Sequence, residues 1–237
     1  MIGRGDAQTD SKTQGRSSGK DIQIMPVPRP DGQPQVRYQA MARLIEVLRE
    51  EHRNIEKLLG VLEQELSIFD RRERPDYDTL RAVIDYFEEY PARCHHPKED
   101  MIVEALKARD PAAGKAAADI ETDHQQEEAR LRRLAHTLEN VRTGGELPRQ
   151  VVDDVVREFI AHERRHIELE ERALFPAATK ALQPADWARI DARMSDERDP
   201  LFDRTIEQKF RSLAQKILQW EQENEDDRQK SPAVARP

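Results

Sequence analysis

Four histidines of this chain, His52, His95, His124 and His166, stand at mirror positions about three interruptions of helical periodicity. The midpoint of His52 and His95 falls in RRERPDY, that of His95 and His124 in ARDPAAG, and that of His124 and His166 in TGGELP. If each stretch reverses the chain between two antiparallel helices, both rising about 1.5 Å per residue, mirror positions lie at one height. One histidine from each of four helices then reaches a common level. Chance placement would seldom meet three such conditions together.

The segments between the interruptions carry the required period. Residues 39–70 place Leu44, Val47, Leu48, Ile55, Leu58, Leu59, Leu62, Leu66 and Phe69 at three- and four-residue steps. Residues 76–109 do so with Leu80, Val83, Ile84, Phe87, Met101, Ile102, Ala105 and Leu106, and 114–142 with Ile120, Leu131, Leu134, Leu138 and Val141. The fourth segment, 148–182, runs through Val151, Val155, Val156, Phe159, Ile160, Ile167 and Leu174. Short connections between long helices predict an all-α fold, an antiparallel up-down-up-down four-helix bundle over 38–182. A composition 36% charged suits long amphipathic helices.

Residues 1–37, polar with frequent Gly, Ser and Pro, are expected to form a disordered arm, and 229–237 a tail of the same kind. Additional C-terminal helices are expected over 183–228, a short one at about 185–195 and a longer one to about 227. In the longer one Ile206, Phe210, Leu213, Ile217 and Trp220 alternate four and three apart, a narrow heptad seam. Such a seam docks the helix on the bundle or serves a homodimer or a protein partner.

A net charge of −8 and the lack of a basic stripe argue against nucleic acid. No apolar run approaches the ~18 residues of a membrane span, and the N-terminus lacks the apolar core of a signal peptide. The single cysteine, Cys94, is compatible with a reducing compartment, and the expected location is cytoplasmic. Glycine-rich phosphate loops and nucleophile elbows are absent.

Four imidazoles converging inside a bundle need buried partners, and a metal provides one. Glu99 follows His95 by four residues and Glu170 follows His166 by four. Such pairs differ by about 40° around a helix, so both side chains can address one centre. Glu56 follows His52, and Glu128 follows His124, at the same spacing but a turn away on the other side of the histidine level. Spacing alone permits either pair of glutamates. His96 and His162 are each a further ligand or a hydrogen-bonding neighbour, and His136 is a surface histidine. In CHHPKEDM, Pro97 removes the N–H that would bond the Arg93 carbonyl, and with Pro91 it brackets the histidines with two helix defects.

The stretches EEHRNIEKLL, HHPKED, ETDHQQEEARL and HIELEERALFP together resemble the hemerythrin-like, histidine–histidine–glutamate cation-binding family over about residues 40–180. The resemblance implies a non-haem di-iron centre: two oxygen-bridged iron ions held by His52, His95, His124 and His166 and bridged by Glu99 and Glu170. Manganese or zinc would accept the same donors. In respiratory hemerythrins five histidines, two bridging carboxylates and an oxygen bridge leave one position for dioxygen. Here Glu128 stands where the fifth histidine would be, and four histidines leave two positions. The expected activity is binding of dioxygen or a related small ligand, as sensor, buffer or carrier. An oxidoreductase acting on peroxide, nitric oxide or ferrous iron, and a metal-stabilised interaction protein, are the alternatives. No separate proton-transfer constellation is visible in the sequence.

Overall fold

The computed structural model describes residues 34–194 and 199–230, and among them every regular element is helical. The α-helices are α1 (Pro34–Asp70), α2 (Tyr77–Tyr90), α3 (His96–Arg109), α4 (Pro111–Arg142), α5 (Arg149–Leu169), α6 (Phe175–Ala181), α7 (Pro184–Asp191) and α8 (Arg211–Lys230). A π-helical turn, Pro91–His95, joins α2 to α3, and another, Glu170–Leu174, joins α5 to α6. The expected helices 76–109 and 148–182 are therefore each two α-helices welded through a wider turn. Helix α1 begins inside the stretch expected as a disordered arm, and α8 runs slightly past the expected tail boundary. Residues 1–33 and 231–237 lie outside the described residues.

The three reversals are built from local chemistry. Asp76 accepts hydrogen bonds from the Asp78 and Thr79 N–H groups at the start of α2. Asp110 does the same for Ala112 and Ala113, with Pro111 in the first turn of α4. Only Asp110 separates α3 from α4, and a Cβ on Gly114 would lie 2.5 Å from the Lys107 backbone, so glycine permits this tight approach. Helix α4 ends on Gly144, at φ 81°.

Both π turns precede a proline. The His96 N–H bonds the Pro91 carbonyl, five residues back, just before Pro97. The Phe175 N–H bonds the Glu170 carbonyl, five residues back, just before Pro176. Each proline lacks an N–H and its ring crowds the carbonyl four residues earlier, so the helix continues by opening one turn.

Packing divides the interior into two apolar clusters. One contains Ile55, Leu58, Leu62, Ile84, Phe87, Leu134, Val156 and Phe159, and the other Leu48, Ile102, Leu106, Ile120, Leu174, Phe175 and Trp187. On every long segment the ligand candidates fall between a residue of one cluster and a residue of the other: His52 between Leu48 and Ile55, His124 between Ile120 and Leu131. A buried polar layer is thus clamped by two hydrophobic walls.

Helix α8 lies on α1 and α2. Of the expected seam, Ile206 and Phe210 precede this helix, Phe210 in the 3₁₀ turn Gln208–Phe210; Phe210, Leu213 and Ile217 are buried in the first cluster, and Lys216 pairs with Glu65 at 3.2 Å. Gly60 of α1 seats Trp220: a Cβ there would lie 2.1 Å from the indole. Among the described residues no helix is long and apolar enough to cross a membrane.

Candidate metal centre

The polar layer gathers the four level histidines. The His52 and His95 ring centroids are 5.0 Å apart, and those of His124 and His166 are 4.9 Å apart. Glu99 and Glu170, both fully buried, lie between the two pairs. Their oxygens are divided. Glu99 turns Oε1 to His52 Nε2 (3.4 Å) and His95 Nε2 (3.2 Å), and Oε2 to His124 Nε2 (3.4 Å). Glu170 turns Oε2 to His52 Nε2 (3.1 Å), and Oε1 to His166 Nε2 (3.1 Å) and His124 Nε2 (3.8 Å).

Two groups of donor atoms result, each drawn within 4.8 Å: His52, His95, Glu99 and Glu170, and His96, Glu99, His124 and His166. Spacing left the glutamates open; the structure brings Glu99 and Glu170 inside. Glu56 is exposed and paired with Arg164, and Glu128 is exposed and paired with Arg132. His96 belongs to the second group, whereas His162 belongs to neither, its ring lying 6.3 Å from that of His166. A straight helix would turn His96 about 100° from His95; here His95 closes the π turn, His96 opens α3, and each falls in one of the two donor groups. His136 is exposed.

The far nitrogen of each level histidine faces an outer carboxylate. His95 Nδ1 lies 2.9 Å from Glu51, His52 Nδ1 3.2 Å from Glu171, His124 Nδ1 3.1 Å from Asp100, and His166 Nδ1 3.7 Å from Asp123. The first three can accept a ring proton from Nδ1, which would leave the Nε2 lone pair free for a metal. The arrangement is cyclic. Glu51 precedes His52 but serves His95; Asp100 follows Glu99 but serves His124; Asp123 precedes His124 but faces His166; Glu171 follows Glu170 but serves His52. Phe175 stacks on the His52 ring at 5.6 Å, fixing its plane. Glu51 also accepts from the Tyr90 hydroxyl at 2.8 Å and pairs with the buried Lys98. None of these partners was anticipated from the sequence, although every one of the four carboxylates adjoins a cluster residue.

The residues fit a bound cation. All four oxygens of Glu99 and Glu170, and Nε2 of His52, His124 and His166, are buried without a well-formed hydrogen bond. Each such atom costs about 1–3 kcal/mol when idle. Carboxylate oxygen with imidazole nitrogen suits iron, manganese or zinc. Without a cation the cluster holds protons instead. Burial opposes charge on His52, but Glu170 and Glu99 outweigh it and raise the imidazole to about 10. Burial is likewise overcome at His124, where Asp100, Glu170 and Glu99 raise it to about 12. Glu170 is held well below the carboxylate range: its burial is outweighed by His124, His166 and His52.

A helical layer of shared carboxylates and inward histidines defines a cation-binding helical protein. The chain's residues 43–178 match the model of the hemerythrin HHE cation-binding domain, more than half its length, and the chain belongs to that family. Comparison with curated proteins and with solved structures returned no match.

Proposed function

We propose that the chain carries a non-haem di-iron centre in an antiparallel up-down-up-down bundle and binds dioxygen or a related small ligand there. The division of the carboxylate oxygens carries the reading. Each of Glu99 and Glu170 offers one oxygen to one histidine group and the other oxygen to the second, the arrangement two adjacent cations require. His52 and His95 would hold one ion and His124 and His166 the other, with Glu99 and Glu170 shared between them. His96 would offer a further histidine to the second ion, and the centre would then keep a position for a small ligand. When bound, iron supplies redox and Lewis-acid chemistry at that position. The chain's own residues fix the imidazole tautomers through the outer carboxylates and keep bulk water out with the two apolar walls. A surface cleft lined by Arg93, Pro97, Lys98, Asp100, Met101 and Arg193 includes the Asp100 carboxylate that meets His124.

The test is elemental analysis after anaerobic reconstitution, with wild type beside a His95→Ala, His166→Ala double variant. Two irons per wild-type chain and a clear loss in the variant are expected. Exposing the reduced protein to air should then produce a slowly decaying charge-transfer band. Equal metal in both proteins, or autoxidation with no oxygenated species, would contradict the proposal.

A further inference from the structure

The last turns of α2 carry two tyrosines whose hydroxyls serve different parts of the chain. Tyr86 and Tyr90 stand one turn apart on that helix, 0% and 5% exposed, with ring centroids 5.5 Å apart. The Tyr90 hydroxyl donates to Glu51 Oε1 at 2.8 Å, and Glu51 Oε2 meets His95 Nδ1 at 2.9 Å. The Tyr86 hydroxyl donates to Asp199 Oδ2 at 2.8 Å. Asp199 belongs to the C-terminal extension, where its Oδ1 accepts from the Leu201 and Phe202 N–H groups at 2.8 and 2.9 Å. Phe202 and Phe210 each meet the Tyr86 ring edge to face at 6.0 Å. Lys57 of α1 lies 5.6 Å from the Phe202 ring and pairs with Glu221 of α8 at 3.1 Å.

A continuous series of contacts therefore joins the extension to the polar layer: Asp199, Tyr86, Tyr90, Glu51 and His95. Phenylalanine at 86 and 90 would fill nearly the same volume with no buried hydroxyl to satisfy. What the hydroxyls add is direction: each fixes a carboxylate, one in the extension and one beside His95. The second donor group, His96, Glu99, His124 and His166, has no member in this series.

We propose that the C-terminal extension regulates metal affinity at the group of His52, His95, Glu99 and Glu170, with Asp199, Tyr86 and Tyr90 as positioning residues that hold Glu51 and, through it, the His95 ring. This regulation rests on the metal reading above and deepens it. The seated extension keeps the Tyr86 ring against Tyr90, and the Tyr90 hydroxyl keeps Glu51 where it meets His95. Release of the extension frees Tyr86, then Tyr90 and Glu51, and the His95 ring loses its fixed orientation. Such coupling is reciprocal: the factor by which the seated extension raises metal affinity is the factor by which bound metal favours seating. Occupancy of the centre is thereby transmitted to α8.

The experiment titrates metal-free wild type, Tyr86→Phe, Tyr90→Phe and the double variant with cobalt(II), whose visible bands report its ligand geometry. Tyr90→Phe should weaken one of two cobalt ions about 10-fold and alter its band, leaving the other ion unchanged. Tyr86→Phe should weaken the same ion about 5-fold. The double variant should match Tyr90→Phe alone, because the series is already cut at Tyr90. Zinc, in turn, should slow hydrogen exchange of the α8 amides about 5-fold in wild type and not in Tyr86→Phe. If Tyr86→Phe fails to fold, Asp199→Asn replaces it: the amide keeps an oxygen for the two backbone N–H groups but turns a donor toward the phenol. Equal weakening of both ions with unchanged bands, multiplying effects in the double variant, or α8 exchange indifferent to zinc would each overturn the proposal. Fewer than two cobalt ions per wild-type chain overturns the metal reading and this proposal with it; two ions that neither tyrosine variant affects overturn this proposal alone.

Discussion

Glu51 offers the sharpest energetic test of the outer carboxylates. It is buried, faces His95 Nδ1, accepts from Tyr90 and pairs with Lys98, itself only 6% exposed. Burial alone would raise its carboxyl, but His95 and then Lys98 outweigh that and bring it from 4.5 to about 2. At about 1.4 kcal/mol per pH unit, the depression stabilises the fold by about 3 kcal/mol. Because the folded value is the lower one, this stability is fully present above pH ~4.5 and disappears as pH falls through about 2. Glu51→Ala leaves Lys98 buried without its partner, so urea unfolding of the metal-free protein at pH 7 should show a loss of about 3–5 kcal/mol. Replacing both members, Glu51→Ala with Lys98→Met, should cost less than Glu51→Ala alone, since no buried charge is then stranded. Metal affinity should fall about 10–100-fold in Glu51→Ala through the loosened His95 ring. A loss below about 1 kcal/mol, or a double variant as unstable as the single one, would refute the reasoning.

Metal uptake at pH 7 should release protons, because His52 and His124 titrate at about 10 and about 12 in the metal-free cluster; calorimetry in two buffers of different ionisation enthalpy counts them. The same raised values stabilise the metal-free protein below pH ~6.5 and cease to do so as pH rises through about 10–12, so alkaline unfolding of metal-free protein is expected. Gly60→Val should displace Trp220, red-shift the tryptophan fluorescence and cost about 1–3 kcal/mol; an unshifted spectrum would mean α8 is not seated as described. Asp110→Ala removes the cap between α3 and α4 and should lower stability by about 1 kcal/mol, read from the shift in the urea midpoint.

The histidine heights were legible because an α-helix has a fixed rise, so distance from a turn converts directly into level. His52, His95, His124 and His166 follow from that alone. The choice of Glu99 and Glu170 over Glu56 and Glu128 was not legible from spacing. All four glutamates sit four residues after a histidine, and which side of the level is enclosed depends on packing. The π turns left a mark in Pro97 and Pro176, yet a proline permits a kink, a break or a widened turn, and neighbouring helices choose among them.

The outer carboxylates show the same division. Glu51, Asp100, Asp123 and Glu171 adjoin cluster residues in sequence, but each faces a histidine on another segment. Sequence by itself determined the helices, their reversals and the level at which four histidines meet, since period and rise are properties of one chain segment. Only the tertiary structure decided which way each side chain points at that level, because azimuth depends on how helices rotate against one another and on two opened turns. That rotation gathers His96 into the cluster and excludes His162 from it.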